Sequence, residues 1–560
     1  MSTAHDNAVY LIGCGETDAA APEATSSAAP SADTMGFKAW NLLRMAHIGL
    51  RVPPAFVLGT AFCADADSRA RAGQAATWAD GLRALEARCG QGLGDRRRPL
   101  LLSVRSGAPI SMPGMMETLL NIGLCDATLP GLVRHSGNPR LAWDAYRRLV
   151  ASYGEVVAGI PGERFEAQVA ALTAGRDERT LDFAELRILT QQHLATYARE
   201  AGRPFPQDPV AQLSEAITAV LASWQAPKAV EYRRVNHLPD TLGTAVTVQT
   251  MVFGNAGGHS GAGVGFTRDP ATGEPHLWVD FLFNAQGEDV VSGRRSAHGH
   301  DALASVLPTA WAALRDAAHQ LEQHLGDMQD FEFTVQDGEL YMLQTRNGKR
   351  TPQAAARIAL DLFDEGLITA EVARQRTAGL TPAMLSRTVV VADTAGSTSA
   401  DSQATQPLQA IGEAATASSG VACGEIAFDE ARARARQAAG ATVILLRRDA
   451  ETSDIAALEA AQGLLTARGA RTSHAAVVAR QMGKVCLVGC ATLHIDEAQR
   501  TATFDAPAGA HAEAAAPVVL REGDVLTLDG NEGRIYAGAV RTVVEAPTEL
   551  LARLDRLGTA

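Results

Sequence analysis

The 560-residue chain has no uninterrupted apolar stretch approaching the roughly 20 residues that a membrane-spanning helix requires. Its start, MSTAHDNAVY, lacks a basic segment leading into an apolar one, so the sequence predicts a soluble, unexported, cytoplasmic protein. Positive charge is in deficit: 50 Lys and Arg stand against 63 Asp and Glu, a net charge of -13. Nucleic-acid binding needs clustered cations to displace phosphate counterions, so no nucleic-acid partner is expected, and the run Arg96 to Arg98 reads as a solvated loop. Cysteine is sparse and odd in number, seven in all, which reads as reduced thiols rather than a disulfide framework. The close pair Cys486 and Cys490 lies in KVCLVGCAT, a buried-strand pattern rather than a metal or redox site.

What is present is ordinary globular material. The chain is 46% hydrophobic and 20% charged, enough apolar surface for packed cores, and its length argues for about three or four domains. Val9 to Ile12 reads as a strand. It is followed by TDAAAPEATSSAAPSADT, residues 17–34, whose Ala, Pro and Ser content predicts a structureless surface insertion. GFKAWNLLRMAHIGLRVPP then predicts a helix from Lys38 to Ile48 stopped by Gly49, and a strand after Pro53 and Pro54. Residues 125–235 carry helical spacing and residues 244–352 the alternation of strands, with a helical connector over 353–391. A second polar run, residues 392–410, reads as an interdomain linker. Residues 411–540 form a further domain of strands, glycine turns and a helix, and 541–560 a tail. On these boundaries residues 1–243 make a first lobe and 244–352 a second.

The densest chemical signal is GLLTARGARTSHAAVVARQMGK, residues 463–484. A strand at Leu464 and Leu465 passes through a glycine turn to Thr472 and Ser473, natural capping residues, and His474 opens a helix that Gly483 ends. An imidazole at a helix N-terminus meets free backbone N–H groups and the positive end of the helix dipole. Both keep the ring neutral and nucleophilic, and both favour a phosphoryl group once it is attached.

The segment QDFEFTVQDGELYMLQTR, residues 329–346, reads as a hairpin. A three-residue turn Asp337, Gly338, Glu339 would set Glu332 opposite Gln344 and Asp330 opposite Arg346, with Phe331, Phe333, Val335, Tyr341 and Leu343 on the other face. Upstream, LLLSVRSGAPISMPGMMETLLNIGL, residues 100–124, begins as a strand carrying Arg105 and continues into a loop of small residues that could close over a nucleotide.

TSHAAVVAR resembles the phosphohistidine motif shared by pyruvate phosphate dikinase, phosphoenolpyruvate synthase and the first enzyme of the sugar phosphotransferase system. SMPGMM is similar to the nucleotide-domain loop of pyruvate phosphate dikinases in particular, and the likeness runs from about Val9 to Gly538. The resemblance implies a multidomain α/β and α+β fold: an ATP-grasp nucleotide-binding region with a helical insert, followed by a swivelling phosphohistidine β/β/α domain. It makes His474 the phosphoryl carrier. Lys38, Arg105, Glu332, Gln344 and Arg346 match the family's ATP contacts, with Arg148 a further candidate beside its reading as a helix-surface arginine. Glu332, Gln344 and Glu288 are the implied metal-side residues, the metal being Mg2+. Thr472 matches the threonine through which some members are regulated by phosphorylation. Two departures stand out: GFKAWNL replaces two glycines of GGKGxNL with Phe37 and Ala39, and Ala470 and Arg471 replace residues of GGMTSHAAVVAR.

In the family a (β/α)8 barrel that binds pyruvate or phosphoenolpyruvate follows; the sequence ends at Ala560 without it. The implied function is therefore a partial reaction. ATP and inorganic phosphate give AMP, pyrophosphate and phosphohistidine, and the acceptor site lies on a separate partner, a barrel protein being the first candidate. The resemblance also allows a homodimer. Two other readings stand beside it: a noncatalytic nucleotide sensor derived from such an enzyme, and a dikinase with an acceptor other than pyruvate.

Overall fold

The short apolar runs Val9–Ile12 and Ala55–Leu58 form strands β1 and β2 in a computed structural model of the chain. It describes residues 8–15, 29–110, 112, 116–291, 300–391, 409–449, 455–469, 471, 474–505 and 517–559. The protein is a mixed α/β, multidomain chain that divides into two units. The first comprises residues up to Ala256 together with Glu339–Thr345, and the second comprises Gly257–Gly338 together with Arg346–Ala560. No helix among the described residues is long and apolar enough to cross a membrane.

In the first unit, β3 (Leu102–Gly107), β4 (Thr118–Ile122) and β5 (Ala245–Thr250) join β1 and β2 in an antiparallel sheet of order β1-β2-β5-β3-β4. All six residues of β5 are buried, and it pairs with β2 on one side and β3 on the other. The first lobe therefore closes beyond β5, at Ala256, rather than at the expected residue 243. Helices α1 (Ala32–Met35) and α2 (Phe37–His47) come next to β1 in sequence, and α3 (Pro139–Val156), α4 (Phe183–Ala201) and α5 (Pro209–Ala222) belong to the helical region. The apolar stripe of α3, Leu141, Ala145, Leu149 and Tyr153, is fully buried, as its spacing of three to four residues requires. Phe205 packs edge-on to Tyr153 with ring centroids 5.3 Å apart.

The polar run expected to be structureless ends in a helix. Ser31 and Thr34 form a capping box at the start of α1; residues 17–28 lie outside the described residues. Between α1 and α2, Gly36 adopts φ 75, and a Cβ there would stand 1.9 Å from the Gly107 carbonyl oxygen. The Phe37 amide donates to Ala108 O at 2.9 Å. Only glycine lets the backbone approach this closely, and the approach seats the first turn of α2, with Lys38, on the end of β3.

The second unit opens on an antiparallel sheet in which β6 (Gly261–Phe266) lies between β7 (Trp278–Phe283) and β8 (Gln329–Gln336). The alternating glycines of GAGVGF have a packing cause: Cβ atoms at Gly261, Gly263 and Gly265 would fall 2.1, 2.3 and 2.7 Å from the rings of Phe281, Phe333 and Phe331. Helices α6 (Gly287–Val291), α7 (His300–Val306) and α8 (Pro308–Leu325) interrupt a region read as strands. Buried Ala310, Leu314, Ala317 and Leu321 give α8 its helical period. Between β8 and β9 (Glu339–Asn347) only Asp337 and Gly338 remain, both with positive φ, 51 and 84. The turn thus has two residues, the left-handed pair of a tight hairpin, rather than the expected three.

The connector is two helices, α9 (Pro352–Asp364) and α10 (Ala370–Thr377). The expected linker falls largely on residues 392–408, outside the described residues. The last domain builds a sheet of eight strands that includes β11 (Gly412–Glu413), β12 (Ala415–Ser418), β20 (Val525–Asp529) and β21 (Arg534–Ala537), in the order β11-β21-β20-β13-β14-β15-β16-β12. Its middle strands β13 (Val421–Ala427), β14 (Val443–Arg447), β15 (Gly463–Thr466) and β16 (Val485–Val488) are mutually parallel. Helix α11 (His474–Gln481) is the crossover from β15 to β16. Cys486 and Cys490 are buried free thiols, as their strand pattern predicts, and burial pushes the Cys486 thiol up to about 12. Residues 541–560 are not a loose tail. β22 (Thr542–Glu545) pairs antiparallel with β10 (Arg387–Val390), and Leu550 and Leu557 of α12 (Thr548–Thr559) share a core with Ala356, Leu360 and Ala373.

Replacing Gly36 with Ala combines a left-handed φ with a clash against backbone. It should cost on the order of 1–3 kcal/mol and lower the first thermal transition measured by calorimetry; an unchanged transition would contradict the close approach.

Candidate active site

Parallel strands leave their carboxyl ends open where the following loop turns into a helix, and ligands of such sheets gather there. His474 occupies that position: β15 ends at Thr466 and His474 is the first residue of α11. The local sequence explains the helix. Ala475, Ala476 and Ala479 favour it, Ala476 and Ala479 face the core, and Gly483 at φ 65 follows its end. Thr472 and Ser473 lie outside the described residues.

On the same unit, Arg346 donates from Nε to Asp330 Oδ2 at 2.8 Å, so these two side chains meet as expected in spite of the shorter turn. Burial is the largest influence on Asp330 and pushes its carboxyl above the usual carboxylate range; Arg346 opposes the push and Glu332 adds to it. Burial works against the charge of Arg346, but Asp330 and Glu332 outweigh it and hold the guanidinium above its ordinary value. Arg346 thus stays charged beside two carboxylates. Asp330 joins the candidate residues, and its place on β8 two residues before Glu332 is the signal for it in the sequence. Glu288 lies in α6, where Asp289 accepts from the Gln286 amide at 3.0 Å, as an acidic turn does.

The first unit holds the other candidates. Arg105 is half-buried on β3 between Thr118 and Thr247 of the neighbouring strands, two residues before the glycine that abuts α2. Asn41, one turn beyond Lys38, is buried and donates to the Thr345 carbonyl at 3.0 Å, which ties α2 to the backbone next to buried Gln344. Lys38, Arg105 and Gln344 thus hang on one framework of α2, β3 and the Glu339–Thr345 segment. Of the SMPGMM loop, Ser111 and Pro113–Met115 lie outside the described residues, while Met112 and Met116 pack against the core. Arg148 stands apart on α3. Its Nε donates to Asp144 Oδ2 at 3.1 Å, beside the Arg147–Asp144 pair at 2.7 Å and an Arg147–Glu178 contact.

The order of these features has a counterpart among known proteins. Residues 78–300 and 297–367 match the family described as pyruvate phosphate dikinase, AMP/ATP-binding domain, and residues 440–533 match that described as PEP-utilising enzyme, mobile domain. The chain belongs to the pyruvate phosphate dikinase family. It is 42% identical over 512 residues to pyruvate, phosphate dikinase 2 of Zea mays, covering 90% of this chain and 56% of the maize protein. Identity to the pyruvate, phosphate dikinase of Clostridium symbiosum is 41% over 525 residues, covering 91% and 56%. For that of Rhizobium meliloti (strain 1021) it is 41% over 554 residues, covering 95% and 58%. The chain spans a little over half the length of these curated relatives. Both family regions of this dikinase relative carry candidate residues: Arg105, Glu288, Glu332, Gln344 and Arg346 in the first, His474 in the second.

The Asp144 network carries a pH signature. Burial disfavours the Asp144 carboxylate, yet Arg147, Arg148 and Arg140 together hold its pKa below the usual range. A depressed folded pKa means stability that is present above the ordinary carboxylate pKa and lost as pH falls through it. The wild-type first unit should therefore lose stability below about pH 5, and Asp144→Asn should flatten that acid limb in pH-resolved thermal melts. A parallel limb in the variant would contradict the assignment.

Proposed function

We propose that the chain is a pyruvate phosphate dikinase-like phosphotransferase whose ATP-grasp region phosphorylates its own His474. ATP and inorganic phosphate are consumed, and AMP, pyrophosphate and phosphohistidine are formed. The observation that carries the reading is the placement of His474 at the carboxyl end of a parallel strand and the N-terminus of a crossover helix, within a matched mobile domain that follows a matched AMP/ATP-binding domain.

The chemistry follows from the groups present. Lys38 and Arg105, with Gln344, supply ATP contacts from the first unit. Arg346, kept charged by Asp330 and Glu332, offsets negative charge that develops on the transferring phosphoryl group. The His474 imidazole attacks the β-phosphorus in line through a ring nitrogen as the bond to the oxygen that leaves with AMP breaks, and inorganic phosphate then takes the γ-phosphoryl group away as pyrophosphate, leaving the β-phosphoryl group on the ring. The helix N-terminus favours the neutral ring before transfer and the anionic product after it. Arg148 has a structural partner in Asp144 and serves to hold α3.

Mg2+ is held in such sites by one or two carboxylates plus substrate phosphates rather than by an all-protein cage. The residues fit that demand. Asp330 and Glu332 lie two residues apart on β8, the spacing that sets both on one face of a strand, and Glu332 adds to the rise of the Asp330 carboxyl that a cation would oppose. Glu332 and Asp330 would hold the ion, which would supply charge neutralisation to the polyphosphate. The phosphoryl group then leaves on the swivelling domain for pyruvate or another acceptor on a partner.

Incubation with β-labelled ATP, Mg2+ and phosphate should place acid-labile, base-stable label on the wild-type chain and none on His474→Ala. Arg346→Met should slow labelling by about a hundredfold or more. Label that survives the His474 substitution defeats the assignment.

A further inference from the structure

One of the two departures from the phosphohistidine motif, Arg471, makes contacts that the proposed function does not use. Its Nε and Nη2 donate to Asp280 Oδ1 at 3.1 and 3.0 Å, and Nη2 also reaches the Val279 carbonyl at 3.2 Å. Its guanidinium lies 3.9 Å from the ring centroid of Trp278. All three partners are consecutive residues of β7, the edge strand of its sheet, in the matched AMP/ATP-binding domain, while Arg471 lies in the matched mobile domain three residues before His474.

Burial makes the contact selective. The Asp280 side chain is 4% exposed and that of Arg471 23%, so the pair is largely shielded from water and salt. A carboxylate this buried is costly without a cation. Trp278 adds a face that holds a planar guanidinium better than an ammonium, and the edge carbonyl of Val279 is satisfied by the same group. A second arginine braces the first from within the mobile domain. Buried Arg480 of α11 donates from Nε and Nη2 to the Ala417 carbonyl at 2.8 and 2.6 Å, and from Nη2 to the Arg471 carbonyl at 3.3 Å. Beside the seam runs a cavity of about 320 Å³ lined by Trp278, Arg471, Asp269, Thr272, Thr416 and Asn531, among others. Arg480 also reaches across, its guanidinium 5.5 and 5.8 Å from the ring centroids of Phe266 and Trp278.

We propose that Arg471 is a positioning residue: by clasping Asp280 and Trp278 it docks the His474-bearing turn on the AMP/ATP-binding domain and so sets the rate of histidine phosphorylation. This rests on the proposed function for its rate claim, and on geometry alone for the docking.

The test uses the full chain with Arg471→Met, Arg471→Asp and the charge swap Arg471→Asp/Asp280→Arg. Three quantities are read: the labelling rate at saturating ATP, the ATP concentration for half-maximal rate, and hydrogen exchange of residues 278–283. Arg471→Asp should slow labelling by about tenfold or more, leave half-saturation within about twofold, and raise exchange in β7. Arg471→Met should fall between it and wild type, and the swap should recover most of the lost rate and protection. A purely structural arginine would instead lower thermal stability without recovery by the swap. Wild-type labelling and β7 exchange in Arg471→Asp, or a folded swap variant no better than Arg471→Asp, overturn the proposal. If the wild-type chain takes no label, the functional reading fails, and unchanged β7 exchange in Arg471→Asp is then what overturns the docking contact.

Discussion

Parallel neighbouring strands cannot be joined by a tight turn, and that constraint fixes the position of His474. With β15 and β16 side by side and parallel, the chain must cross back over the sheet, and the crossover is α11. Its N-terminus then falls at the carboxyl end of β15, where backbone N–H groups lack intrahelical partners. A histidine placed there gains anion-binding backbone without any dedicated cage. The alanine-rich sequence of α11 serves the same end, because small side chains let the helix lie close to the sheet.

The β6–β8 sheet supplies a complementary arrangement of charge. Glycines on β6 make room for the stacked phenylalanines of β7 and β8, and Asp330 and Arg346 are half-buried in the same unit. Partial burial is what makes the 2.8 Å contact consequential: Asp330 and Glu332 hold the guanidinium charged, and burial, with a smaller push from Glu332, raises the Asp330 carboxyl. Deeper in the unit, Arg268 plays the same game structurally, bonded to both Glu322 and Glu365.

Much of this was legible in the residues. β1, α2, β2, β15 and the helix at His474 followed from local apolar spacing, glycine stops and proline positions, which act within one element. What local pattern could not report was assignment between distant segments. β5 reads like the strands after it yet completes a sheet begun at residue 9, and the stretch from Thr542 reads as a tail until Val389 and Val543 pair across the linker. The helical period of α8 was present but was lost among the strands flanking it. For the site, Lys38, Arg105, Gln344 and His474 came from motif resemblance, and Asp330 from alternation. Arg471 was visible only as a departure from a motif, because its partners lie almost 200 residues earlier and no local spacing connects them.

The claim on which the account turns is that this chain exchanges phosphate between ATP and its own histidine. The most direct measurement is isotope exchange from labelled AMP into ATP in the presence of Mg2+, phosphate and pyrophosphate, with no other acceptor added. The account predicts exchange that disappears in His474→Ala while ATP binding persists. A wild-type chain that binds ATP yet supports no AMP–ATP exchange would contradict it.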